Sequence, residues 1–296
     1  METTPKRSIR KLADLGKVCA KGSVQKEIFT TFQKLLKNPE SSYYQCVEDL
    51  VKQTDPEILT TFGMNLGYNS WTYGVRRLRA GRHTSENQTL WISLFSYDAL
   101  NDSDTKALDQ QIRREKERGV YTYAFLPGAA KEAPALPAAV FRENPDCAFL
   151  WFFPADLVPD AAALPEKFLN VMPPFSRRAL GNTAFFEHLK KNRMLYGVYE
   201  PYSDQTEAEA ISIKNIGLLS SFDTPFLFFL SENKKSAEDS AVSRFVAETR
   251  LKQTCPFLPI DFYSDIMRID KLITGEPHAL HITELSHPAP SSASHQ

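Results

Sequence analysis

Apolar residues along this chain change their spacing once, near residue 89. Before that point they recur every three or four residues. Ile28, Phe29, Phe32, Leu35 and Leu36 form one such stripe, with Ser23 placed to cap the helix that carries it. Pro39 interrupts the pattern, and Tyr44, Val47, Leu50 and Val51 define the inward side of a second helix. Asp55-Pro56 supplies an N-cap followed by proline at the first helical position. A third helix runs from there through Leu59, Phe62 and Leu66 to Leu78. It ends in Arg76, Arg77 and Arg79, cations suited to the negative end of the helix dipole.

Beyond residue 89 the apolar residues come in uninterrupted runs, at 90–95, 120–125, 148–153, 195–199, 225–230 and 257–262. A weaker run lies at 168–172 and a last one at 279–283. Polar stretches of helical character separate several of them, at 104–118, 182–193, 207–219 and 237–253. The first is capped by Asp102 or Ser103 and closed by Gly119. Strands that are apolar throughout, alternating with helices, specify a parallel sheet covered on both faces. The number of repeats predicts an α/β fold, a full or partial parallel (β/α) barrel preceded by a small N-terminal helical region. The expected organisation is a helical region over 1–84, the barrel-like domain over 85–284, and a disordered tail over 285–296 rich in Ser, Pro, Ala and His.

Composition narrows the function classes. At 296 residues and 42% hydrophobic the chain can bury a full core, and its net charge of -1 gives no global field to recruit nucleic acid or an anionic membrane. Cys19, Cys46, Cys147 and Cys255 lie far apart with no CxxC pair, as expected of reduced cytoplasmic thiols. Residues 1–15 are basic without an apolar stretch, unlike a signal peptide, and no run approaches the ~20 residues needed to span a bilayer. There is no P-loop, GxGxxG, GxSxG or HExxH motif.

The Asp55-Pro56 helix is followed by Gly119-Val-Tyr-Thr-Tyr-Ala-Phe125 and Asn144-Pro-Asp-Cys-Ala-Phe-Leu150. Later, Phe257-Leu-Pro-Ile-Asp-Phe262 precedes Ala279-Leu-His-Ile282. In order and spacing these stretches resemble a group of bacterial radical S-adenosylmethionine (SAM) proteins, over residues 21–285. In that family a CxxxCxxC loop after the first barrel strand binds three irons of a [4Fe–4S] cluster and leaves the fourth for SAM. Here the corresponding residues are Ser96-Tyr-Asp-Ala-Leu-Asn-Asp102, without cysteine. The GGE-type motif after the second strand is replaced by Leu126-Pro-Gly-Ala-Ala130, which has no carboxylate. Neither 273–276 nor 285–288 carries an auxiliary-cluster cysteine. The resemblance therefore implies a degenerate member, a pseudoenzyme with no cluster, no SAM and no metal. It implies a protein that acts through binding, as a scaffold for an active radical SAM relative or another chain, or as a sensor of a small molecule.

Barrel sites collect functional groups at the C-terminal ends of strands. Asp261, Tyr263 and Asp265 end one predicted strand, Glu200 and Tyr202 another, and Tyr97 and Asp98 the first. As paired carboxylates fit for acid–base work, Asp261, Asp265 and Glu200 are the candidate catalytic groups of an alternative, cluster-independent enzyme. Tyr97, Asp98, Tyr202 and Tyr263 are the candidate ligand-binding groups. The ordinary use of Asp and Tyr at such positions is to cap helices and form turns. His278 and His281 would fall on opposite faces of the strand that carries them, which argues against a metal pair. Gly63, Gly67, Ser70 and Gly74 share one face of an α-helix, where another backbone could approach. Asn65, Asn69 and Tyr73 could instead reach into a pocket. Cys147, before a strand and without an activating neighbour, reads as a buried thiol.

Overall fold

In the computed structural model of the chain, the described residues are 4–20, 22–81, 89–97, 102–128, 138–155, 167–178, 183–220, 224–235, 239–253, 255–276 and 278–285. The helical region comprises α1 (Thr4–Cys19), α2 (Ser23–Leu35), α3 (Tyr43–Gln53), α4 (Pro56–Met64), a π-helix (Asn65–Gly74) and α5 (Val75–Gly81). Asp55 caps α4 as predicted, its side chain accepting from the Glu57 N–H. Ser23 is not a cap: it is the first residue of α2, and Gly22 occupies the N-cap without a side-chain bond. Val51, expected inward, is 55% exposed, because the buried side of α3 is built from Tyr43, Tyr44 and Cys46.

Among the described residues, nine strands form two all-parallel sheets. The first has the order β4-β3-β2-β1-β9 and the second β5-β6-β7-β8. Their ranges are β1 Ile92–Tyr97, β2 Thr122–Pro127, β3 Ala148–Trp151, β4 Val171–Met172, β5 Pro174–Ser176, β6 Gly197–Tyr202, β7 Phe226–Ser231, β8 Leu258–Asp261 and β9 Ile282–Leu285. Phe153, just past β3, donates its N–H to Pro174 in β5 (2.9 Å), so backbone bonding carries over between the sheets. Among the described residues no ladder joins β8 to β9. Among the described residues the sheets are open, and no closed barrel is shown.

The connecting helices are α6 (Asp102–Arg118), α7 (Ala138–Glu143), α8 (Thr183–Lys191), α9 (Glu207–Ala210), α10 (Ile213–Ser220), α11 (Ala241–Lys252) and α12 (Phe262–Thr274). The single helix expected over 207–219 is split into α9 and α10. The run expected as strand to 262 stops at Asp261, where α12 begins.

Ring contacts fix which way each strand faces. Phe125 packs on Phe141 of α7, Phe175 on Phe185 of α8, and Phe229 on Phe245 of α11. These mark the outer, helix-covered face. Phe152, just past β3 of the first sheet, meets Tyr199 and Phe228 of the second and Phe262 at the start of α12, which marks the inner face.

The helical region packs against the N-terminal ends of the strands by gripping the connections that lead into them. Asn65 donates from Nδ2 to the carbonyls of Pro145 and Cys147 (2.8 Å each), and Asn69 to that of Asp146 (2.9 Å), all just before β3. Ser42 Oγ donates to Gln253 and Cys255 before β8. Asp55 N–H bonds the Arg193 carbonyl before β6, and Arg193 returns a bond to Thr54. Gly74 and Gly119 touch backbone to backbone before β2. A Cβ on Gly74 would lie 2.2 Å from the Gly119 carbonyl oxygen, and Gly119 has φ +110°. No helix among the described residues is long and apolar enough to cross a membrane.

The π-helix explains why the shared glycine face fails. Asn65 and Gly74 are nine residues apart, about two and a half turns at 3.6 residues per turn, which sets them on opposite sides of an α-helix. The wider π turn, bonded five residues back, brings Asn65, Asn69 and Gly74 to the sheet together. Gly63 and Gly67 are left with no neighbour within 4 Å of a would-be Cβ.

Candidate functional site

The candidate acids stand at or just beyond the C-terminal ends of the strands, and each is already bonded. Glu200 pairs with Phe229 of β7 in the ladder and so shares its outer face. There it is buried and grips Arg177 through two bonds, Nε to Oε2 at 2.5 Å and Nη2 to Oε1 at 3.1 Å. That carboxylate holds the Arg177 guanidinium above its ordinary pKa. Asp265 lies in the first turn of α12 and takes both guanidinium nitrogens of Arg250, at 2.9 and 2.5 Å. It also accepts from the Asp261 N–H (3.1 Å). Asp261 also faces outward, opposite Phe229 in the ladder, and accepts from Ser243 Oγ of α11 at 2.6 Å. Burial raises its carboxyl above the usual carboxylate value, although the Ser243 and Ser264 hydroxyls oppose the shift. These three carboxylates therefore belong to the sheet–helix layer.

The candidate tyrosines divide. The next donor owed to the Phe152 carbonyl along the β2–β3 ladder would be residue 127, but Pro127 has no N–H. The Tyr97 hydroxyl supplies the bond instead, at 2.6 Å, and burial raises its pKa well above normal. Tyr97 is thus a ladder substitute. Tyr202 is buried beside the Ser231 and Ser240 hydroxyls, near Asp261. Burial raises its pKa, and the Asp261 charge adds to the shift. Tyr263 is buried close to Tyr202 and is raised for the same first reason. Tyr202, Tyr263 and Asp261 are therefore brought together, in a closed polar cluster under α11. Asp98 lies outside the described residues.

The inner face holds a different polar group. Ser96 is the inward neighbour of Tyr97 on β1, and the parallel register sets it beside Glu284 of β9. Lys234, in the turn after β7, reaches across and donates from Nζ to Ser96 Oγ at 3.4 Å. Its backbone takes the left-handed conformation, φ 53°, which lysine adopts uncommonly. Ser96 is buried and Glu284 exposed, so the cluster opens at the C-terminal edge. The sequence offered one clue to Ser96: strand alternation turns it inward wherever Tyr97 turns outward.

The remaining candidates are structural. His278 is buried with its Nδ1 2.9 Å from Asp270 Oδ2, whereas His281 is exposed. Among the described residues no three His, Cys, Asp or Glu side chains gather as a metal site. Asn65 and Asn69 bind carbonyls rather than a pocket, and Tyr73 accepts a bond from Arg77. Cys147 is fully buried as expected, its thiol pushed up by burial, and Cys46 is pushed up to about 12 for the same reason. Compared with family models, curated proteins and solved structures, the chain matches none.

Proposed function

We propose that this chain is a cluster-free protein of radical-SAM-like, (β/α)-barrel type, acting in the cytoplasm by binding rather than by catalysis. It holds a small molecule at the C-terminal edge of the inner face, or supports another chain such as an active relative. The observation that carries the reading is how the acids are used. Glu200 and Asp265 are each held in two-point contact with an arginine, and Asp261 by Ser243, all on the outer face. Proton transfer to a substrate needs a carboxylate with a free face, and none of the three offers one. The cysteines support the same reading. Cys19 and Cys46 belong to α1 and α3, and Cys147 and Cys255 to the connections before β3 and β8. All four stand away from the C-terminal end of β1, where a cluster would require three.

Ser96 and Lys234 give the inner edge a hydroxyl beside an ammonium, a pair suited to a ligand bearing a carboxylate or phosphate. The test is native mass spectrometry of the chain purified anaerobically from its host, beside Lys234→Ala. Iron content and SAM cleavage are measured on the same material. The expected result is an iron-free chain carrying an anionic small molecule or one stoichiometric partner, with the small molecule lost in Lys234→Ala. Cleavage of SAM, or a bare monomer in both preparations, would refute the proposal.

A further inference from the structure

Charge is distributed unevenly along the chain. Residues 4–37 hold nine cations (Lys6, Arg7, Arg10, Lys11, Lys17, Lys21, Lys26, Lys34 and Lys37) and two acids, Asp14 and Glu27, a net of +7. With the whole chain at -1, the remainder carries -8. The near-neutral total thus conceals a strongly basic helical pair, α1 and α2.

Within that pair, α1 is apolar on two sides. One side is packed: Ala13 is buried with Leu36 and Tyr44, Ile9 sits against them, and Gly16 lies against the Phe29 ring. The other side carries Leu12, Leu15 and Val18 at 61%, 58% and 83% exposure. Three-residue spacing sets these side chains on one face, beside the exposed Arg7 and Lys11. Isolated exposed leucines need no explanation, but three in register on one helix do.

We infer that α1 docks the protein on an anionic lipid surface. α1 packs on α2 and α3 through its other side, which leaves this apolar face and its flanking cations to the surface. A bilayer accepts such a face: the apolar side chains enter the acyl boundary while the surrounding lysines and arginines stay among anionic headgroups. Charge complementarity chooses this occupant, because the +7 segment is where the apolar ridge stands. With only three apolar residues, attachment is reversible and depends on both charge and insertion.

The test is co-sedimentation of the full chain with phosphatidylcholine vesicles, with and without about a third phosphatidylserine, at low and high salt. At low salt the bound-to-free ratio is expected to be about tenfold higher on anionic vesicles, and to fall to the phosphatidylcholine level in high salt. Leu15→Glu/Val18→Glu alters exposed positions only and is expected to abolish binding. Leu251→Glu, 78% exposed on α11, is expected to leave it unchanged. Absence of binding to anionic vesicles, or equal binding by the double variant, overturns the inference. So does a dimer in light scattering that ignores vesicles and becomes monomeric with Leu15→Glu/Val18→Glu, which would assign the face to a second copy.

Discussion

The two ends of the strands are built by opposite means. At the N-terminal ends, backbone and side-chain groups of one helical region fasten the connections before β2, β3, β6 and β8. At the C-terminal ends the polar groups bond to their immediate surroundings: Glu200 to Arg177, Asp265 to Arg250, Asp261 to Ser243. The Ser96–Lys234 contact joins β1 of one sheet to the turn after β7 of the other. Among the described residues, one end is fastened by the helical region and the other holds the Ser96–Lys234 pair at its edge.

The largest effect is expected at the glycine contact. Gly119→Ala adds a Cβ 2.4 Å from the Gly74 carbonyl oxygen at a positive φ, and is expected to cost about 3 kcal/mol or more in urea denaturation. Gly63→Ala, in the same helical region but with open space above it, is expected to gain up to about 1 kcal/mol. Equal effects at the two sites would show that the fastening is not where the structure places it. Asn65→Ala removes two bonds to buried carbonyls and should lower stability by about 2 kcal/mol. Glu200→Gln leaves Arg177 half-paired and should cost about 1.5–2 kcal/mol, with no effect on any bound small molecule. A loss of the ligand would move the functional edge to the outer face.

Thiol reactivity sharpens the same contrast without mutation. Native chain treated with an aromatic disulfide at neutral pH is expected to release one equivalent fast, from the exposed Cys19. Cys46 and Cys147, buried and raised, react only on unfolding. The smallest effect is the pH dependence of Asp261. Its folded pKa lies above the ordinary 3.8, so the folded state holds the proton more tightly. The stability this confers is complete below 3.8 and is lost as pH rises through the folded value. The stability difference between wild type and Asp261→Asn should therefore shift against the wild type over that interval, and a flat difference would remove the assigned cause.

The parallel α/β character was legible because buried parallel strands require apolar runs, and each main run yielded a strand. Runs shifted by two or three residues where a polar end residue remained paired, as with Ser96 and Tyr97 in β1 and Pro201 and Tyr202 in β6. β5 escaped notice because Pro173-Pro174 reads as a break, although an edge carbonyl can still accept. α12 was hidden because its first residues, Phe262 and Tyr263, continue the apolar texture of β8. Which face each candidate acid takes depends on register, and composition carries no register. The arginine partners Arg177 and Arg250 sit 23 and 15 residues from their acids, too far for any local pattern to pair them.

The Ser42 contact has a consequence for how the chain is made. Ser42 bonds the carbonyls of Gln253 and Cys255, partners separated from it by 211 and 213 residues. On a ribosome, α3 emerges long before the connection it must hold. The first helices can form early, but their final seating waits for the connection before β8. Such distant pairing makes folding slow and leaves the underside of α3 uncovered during synthesis. Truncation before residue 253 would therefore expose Tyr43 and Cys46 to aggregation rather than leave a shorter native protein.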